Sequence, residues 1–375
     1  MAATQALKKM TDHANTVAIV SVRNLRRQAA NCTLFEFEDH ISTLHTTQIF
    51  SPDNEHKVSR KAYRFVKRFS DSNRLAHSLS RYPANSTIDK NCSLIIVFAD
   101  NPYQLHLLNE IAEWRDHPAK KACYLSELWP GNLRDNVVLR EPFKDFDHIF
   151  VGLSQALPLF RETFGVSCSY LPLGVDSLLF SRYENRIQRS IDMAYLGRRE
   201  DAIHNELLKM SNQQDLFYLF DTVSGIGVVD HKVHRRMYSS LLARSKFTFA
   251  FPAKKSLGSY TDNVDEIGTR YFEFVAAGSV ILGERPKNEH FEEYFGWEDA
   301  VIEITPENTA ATIQELMRDP DRMNRIATLN TKNALEKHDW VYRWLEILKR
   351  FSIKPDTRVN DRIAELRAAA QRGKN

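Results

Sequence analysis

A chain of 375 residues is longer than one simple core needs and is expected to form two domains of ordinary size. Its 43% hydrophobic and 26% charged residues are those of a globular protein, and a net charge of +3 provides no global field for a nucleic-acid partner. The four cysteines, Cys32, Cys92, Cys123 and Cys168, stand far apart with no C-x-x-C, which argues against a disulfide framework or a zinc site and predicts a reducing, cytoplasmic setting.

The first sixteen residues, MAATQALKKMTDHANT, lack the long apolar centre of a secretory signal, and no run of 18 apolar residues occurs anywhere. A cytoplasmic protein is expected, at most peripheral on the inner face of the membrane.

TVAIVSV (16–22) is the first strand-like run. Downstream, KVSRKAYRFVKRF (57–69) has helical periodicity and a segregated charge. Lys57, Arg60, Lys61, Arg64, Lys67 and Arg68 span roughly 120° of one helix face, with Val58, Ala62, Phe65, Val66 and Phe69 on the other side. Such a helix suits anionic lipid headgroups or a polyprenyl-phosphate acceptor, with Arg23, Arg26 and Arg27 extending the basic surface. A plain solvated face is an equal alternative. The phosphates of a nucleic acid are a third and weaker one, for want of an aromatic stacking platform.

Strand-like runs continue with SLIIVFA (93–99), KACYL (121–125), HIFVG (148–152) and CSYLP (168–172), separated by amphipathic helical stretches over 102–117 and 154–165. The alternation breaks at LPLGVDSLLFSRYENRIQRS (171–190), where Pro172 and Gly174 punctuate a polar run. It resumes with IDMAYLG (191–197), LFYLF (216–220), KFTFAF (246–251), SVILG (279–283) and AVIEI (300–304), and turns helical after 305. This is the pattern of β-α units with parallel sheets. The expected division is an N-terminal Rossmann-like domain over 1–172, a linker over 173–190, a C-terminal Rossmann-like domain over 191–335, and helices over 336–375 crossing back to the first domain.

DEIGTRYFEFVAAGSVIL (265–282) is the most informative stretch. Gly268 permits close backbone approach and Thr269 is a fair N-cap for a helix starting at Arg270, whose unpaired N–H groups suit a phosphate. Glu273, in the first turns, can accept two hydroxyls of a ribose diol, and Asp265, in the preceding loop, is free for a second polyol. Phe272, Val275 and Ala276 have the spacing of a buried face.

Asp265, Gly268, Glu273, Ala276 and Gly278 fall in the register of the signature E-x-x-G-x-x-x-x-E-x-x-A-x-G of retaining GT-B glycosyltransferases, which this segment resembles. TRYFEFVAAGSVIL resembles in particular the "glycosyl transferases group 1" branch that includes the CgeB-like proteins. FDHIFVGLSQALPLFRETFGVSCSYLPLGVDSLLF, DMAYLGRRED and HDWVYRWLEIL extend the likeness over about residues 145–350. The resemblance implies a GT-B architecture, two Rossmann-like domains facing a cleft. It also implies transfer from a nucleotide-diphosphate sugar to a glycan or polyprenyl-linked acceptor with retention and without a metal. No cofactor beyond the donor substrate is implied.

By that likeness Glu273 would hold the donor ribose, and Asp265 the hydroxyls of the transferred sugar. Gly197 and Arg198 would face the diphosphate. Asp265 is shorter than the family's glutamate, and His204 stands where many relatives carry a second basic residue, so Lys254 or Lys255 in FPAKKSLGSYTDN is the candidate substitute. A general base, where one is used, would come from the N-domain, with Asp100 and Glu127 as candidates beside their plainer roles as structural or solvated acids. Asp319-Pro320-Asp321 lies between late helices and reads as a turn rather than a metal-binding pair, which disfavours the GT-A fold. The rivals are a GT-B nucleotide-sugar epimerase or hydrolase, a non-catalytic nucleotide-sugar-binding protein, and, least favoured, a DNA-modifying glycosyltransferase.

Overall fold

The computed structural model describes residues 16–53, 56–70, 72–80, 86–100, 102–112, 114–134, 142–181, 188–222, 227–252, 261 and 263–372. In chain order the first half contains β1 (Thr16–Val20), α1 (Cys32–Leu44), β2 (Thr47–Phe50), α2 (Lys57–Lys67), α3 (Asn73–Ser80), β3 (Cys92–Ala99), β4 (Lys120–Leu125), α4 (Pro130–Arg134), β5 (His148–Val151), α5 (Leu157–Phe164) and β6 (Cys168–Tyr170). Its strands form one sheet in the order β2-β1-β3-β4-β5-β6, every pair parallel.

The second half adds α6 (Ser177–Ser181), β7 (Ile191–Tyr195), α7 (Asp201–Gln214), β8 (Tyr218–Phe220), α8 (His231–Ala243), β9 (Ser245–Ala250), α9 (Thr269–Ala276), β10 (Val280–Gly283), α10 (Phe291–Phe295), β11 (Ile302–Glu303), α11 (Thr309–Arg318), α12 (Pro320–Lys337), α13 (Trp340–Arg350) and α14 (Thr357–Arg372). These strands make a second parallel sheet, ordered β11-β10-β9-β7-β8.

Strands covered on both faces must be apolar at every position, which is why CSLIIVFA reads as a continuous run instead of alternating. Leu94, Ile96 and Phe98 enter one core and Ile95, Val97 and Ala99 the other. The first of these cores is completed from far along the chain, by Trp340, Trp344, Ile347, Val359 and Leu366 of α13 and α14. The two connections between the domains run side by side, with the Val175 N–H donating to the His338 carbonyl at 3.0 Å and the Trp340 N–H to the Val175 carbonyl at 3.2 Å. Gly174 allows that approach, since a Cβ there would press on the Trp340 ring and the His338 carbonyl.

Two local expectations need correction, and one strand is unanticipated. The amphipathic stretch after Pro102 winds as a 3-10 helix over Pro102–Glu110, not a long α-helix. TQIF at β2 is a half-buried edge strand whose mixed composition gave it no strand-like run. Gly268, in an extended conformation, caps α9, so Thr269 is the first helical residue and not the cap. Asp319 is the N-cap of α12, accepting the Arg322 N–H, with Pro320 following it.

Candidate functional site

Ligands of open parallel sheets bind at the carboxyl ends of strands where the strand order reverses. In the C-terminal sheet the chain places β8 on one side of β7 and β9 on the other, so the reversal falls between β7 and β9. The turn after β7 is Leu196-Gly197-Arg198, and α9 follows the connection after β9. In the N-terminal sheet the reversal lies between β1 and β3, whose ends lead to Ser21–Arg23 and to Asp100. The domains meet on this side, where α1 packs on α8 and the Val228 N–H donates to the Arg27 carbonyl at 2.9 Å.

Glu273 lies at this junction and is 4% exposed. Its Oε1 accepts from the Arg235 guanidinium and, at 3.4 Å, from the Thr33 hydroxyl of the N-terminal domain. Arg235 also donates to Glu36 of α1 at 2.6 Å and lies over the Phe180 ring at 4.6 Å. Glu36 in turn accepts from the Trp340 indole and the Asp176 N–H, both at 2.9 Å. Burial alone would lower the Arg235 pKa, but the two carboxylates push it up, so the guanidinium stays charged. Burial raises the Glu273 pKa against the opposing pull of Arg235. Among the described residues both hydrogen bonds to Glu273 end on Oε1 and none ends on Oε2.

Asp265 is half-buried, with Oδ2 accepting the Lys287 N–H at 3.3 Å. Its carbonyl accepts from the side chains of Gln155 and Asn288, so the loop before α9 is tied to the N-terminal domain. The neighbouring Glu266 is fully committed there. Its carboxylate receives the Gln155 N–H at 2.8 Å, the Ser154 N–H at 3.2 Å and the Asn288 amide at 3.2 Å, close to the start of α5.

Gly197 has φ +78°, a conformation glycine adopts without strain, and its N–H donates to the Asp221 carboxylate. Arg198 is exposed. Arg199 is tied to Asp221, at 3.9 Å from the carboxylate and 3.0 Å from the carbonyl. His204 turns to the sheet edge and shares a 2.6 Å hydrogen bond with the Tyr218 hydroxyl. Lys254 and Lys255 lie outside the described residues.

Across the junction, Asp100 is held by the Asn31 amide at 2.5 Å and the Gln104 amide at 3.0 Å, and burial raises its pKa. Glu127, exposed, follows β4 and donates its N–H to the Asp100 carbonyl at 3.0 Å. The two acids are thus neighbours at the carboxyl end of the N-terminal sheet.

The basic helix α2 pairs with α3, and its buried Tyr63 packs against the half-buried Val66. Its apolar residues Val58, Phe65 and Phe69 are open to solvent, at 83%, 62% and 77% exposure, beside exposed Lys57, Lys61 and Arg68. The side chains of Arg60, Arg64 and Lys67 lie outside the described residues. Arg23 does not extend this surface, because its guanidinium is spent on Glu38 at 2.6 Å and Asp39 at 3.0 Å. Among the described residues no helix is long and apolar enough to cross a membrane, and no cluster of three or more His, Cys, Asp or Glu side chains is arranged to hold a metal ion.

Glu36, Arg235 and Glu266 carry no sequence signal of their roles: Arg235 is 199 positions from Glu36, and each reads as an ordinary helix or loop residue.

Residues 221–349 match the glycosyl transferase-like family model. No curated protein matches the chain. Among solved structures, an alpha-glucosyltransferase in complex with UDP and a 13-mer DNA containing a HMU base is similar at 13% identity and a TM-score of 0.53, over 90% of this chain and 99% of that one. Alr3699/HepE of Anabaena, in complex with UDP and glucose, is similar at 12% identity and a TM-score of 0.52, again over 90% of this chain and 99% of that one. The family match spans α9 and both ends of the Arg235–Glu273 pair, and the two Rossmann-like domains have the GT-B fold of the similar structures.

Proposed function

We propose that the protein moves a sugar from a nucleoside diphosphate sugar to a glycan or lipid-linked acceptor, with retention of anomeric configuration and without a metal ion. The observation that carries this reading is the meeting of the Gly197–Arg198 turn with the first turn of α9, at the strand-order reversal of the C-terminal sheet, with Glu273 one turn further along the same helix. In this reading Glu273 Oε2 takes the donor ribose, and Asp265 takes hydroxyls of the transferred sugar. Arg198 and the open amides of α9 meet the diphosphate.

As the bond from C1 to the β-phosphate oxygen breaks, its electron pair stays on that oxygen. The acceptor hydroxyl oxygen bonds to C1 from the same face, and its proton passes to the departing diphosphate. Asp100 and Glu127, neighbours on the opposite wall, bind and orient the acceptor. The similar structures hold UDP, which supports UDP-sugars as the first donors to try.

A membrane-associated acceptor is favoured over DNA by the exposed Val58, Phe65 and Phe69, since an apolar row suits a bilayer interface and adds nothing on a phosphate backbone. Incubation with a panel of nucleotide sugars, followed by mass spectrometry, tests the reading. Donor consumption that rises on adding a membrane or glycan extract supports transfer. Consumption to free sugar or to an isomerised donor, unaffected by any acceptor, would make the protein a hydrolase or epimerase.

A further inference from the structure

The resemblance assigns a second basic residue to the leaving diphosphate, and His204 cannot supply it while turned to Tyr218. Arg270, in the first turn of α9, reaches the same place from another element. Its Nη1 donates to the Arg198 carbonyl at 2.8 Å, which draws the guanidinium across the turn after β7. A Cβ on Gly197 would run into that guanidinium, so the turn is shaped to let the arginine through.

The charges around it are unevenly compensated. Asp221 takes the Gly197 N–H and pairs with Arg199, which also rests against the Phe220 ring at 5.5 Å. Among the described residues no carboxylate lies within ion-pair distance of Arg270, and the Arg198 carbonyl is the one acceptor it meets. A guanidinium has five N–H donors, and among the described residues one of them is taken, by the Arg198 carbonyl. Gly268 provides no side chain to cap α9, and in the first turn beside it the Tyr271 N–H turns back to the Gly268 carbonyl at 3.2 Å.

We infer that Arg270 is the second cation on the donor diphosphate, acting with Arg198 at the Gly197 turn in place of a basic residue at position 204. This rests on the glycosyltransferase reading and adds a residue to it. A planar fork of permanent charge suits the paired oxygens of a phosphate, and it strengthens its hold as charge gathers on the leaving oxygen. Arg270 is therefore positioned to favour the diphosphate over the monophosphate of the same nucleoside.

The test is calorimetric binding of UDP and UMP, or the corresponding pair for whichever base the wild-type protein binds, to wild type, R270A and R270K, with melting temperatures to confirm folding. R270A is expected to lose about ten- to hundredfold in diphosphate affinity, as for removal of charge-assisted hydrogen bonds, and less than about threefold for the monophosphate. R270K should recover part of the loss. Equal losses for both nucleotides, or none, would overturn the role of Arg270 while leaving the functional reading intact. A wild-type protein that binds no nucleoside diphosphate would sink the functional reading itself.

Discussion

Glu36 of the N-terminal domain and Glu273 of the C-terminal domain are joined through one buried guanidinium, that of Arg235. A carboxylate expected to meet the donor is thus part of the contact that holds the two domains together. Its geometry in the cleft depends on a residue of α8 and on an acid of α1.

Removing the shared cation should be costly, because two carboxylates would be left buried and uncompensated. R235A is expected to lower stability by about 3–5 kcal/mol, measured by urea unfolding. R235K should restore only part, since a single ammonium cannot reproduce two bonds in the plane of a guanidinium. An unfolding midpoint unchanged in R235A would mean that the triad contributes nothing to holding the domains.

For Glu273 the substitution to glutamine keeps the shape and removes the charge. E273Q should weaken nucleoside diphosphate binding by about tenfold or more, the loss expected for a hydrogen bond to a charged group. The penalty should shrink when the 2′-deoxy nucleotide replaces the ribonucleotide. An equal penalty for both sugars would remove the ribose from Glu273.

Much of the frame was legible in the sequence because parallel strands buried on both faces announce themselves as apolar runs, as SLIIVFA does over β3. The edge strand β2, half-exposed, had no such run. Pro102 opens a segment with helical spacing, yet spacing alone does not distinguish an α-helix from the 3-10 turns found there. Glu273 and Asp265 stand out as candidates through a local register of glycines and acids. Arg235, Glu36 and Glu266 have no such local register, because their contacts span 199 and 111 positions and only the packed domains create them.

Glu266 gives the domain contact a pH dependence. Burial raises its pKa from the ordinary 4.5 to about 7, against the opposing pull of the Gln155 and Ser154 N–H groups. Between these values the folded protein holds a proton that the unfolded chain has released, so stability falls as pH rises through this window. The contribution is fully present below 4.5 and gone above about 7. Glu38, also raised to about 7 by burial, adds the same sign. Melting temperatures of E266Q across pH 4 to 8 should therefore decline less steeply than those of wild type, with the Glu38 slope remaining. Parallel profiles for the two proteins would show that Glu266 does not titrate in this range.

The α2–α3 pair should bring the protein to an anionic bilayer. Sedimentation with phosphatidylglycerol vesicles is expected to pellet the wild type, less so as salt is raised, and phosphatidylcholine vesicles should not. Replacing Phe65 and Phe69 together by aspartate should abolish pelleting and leave nucleotide binding unchanged. If the protein instead shifts on duplex DNA and ignores both vesicles, the acceptor is a nucleic acid and the lipid assignment fails.

The most direct measurement is titration calorimetry of the purified protein with UDP, GDP, ADP, CDP and dTDP, without added metal. One-to-one, saturable binding of at least one of them is expected, with Kd within about 1 µM to 1 mM, the usual range of enzyme–substrate affinities. Absence of binding by all five would contradict a donor cleft at the Gly197 turn and α9.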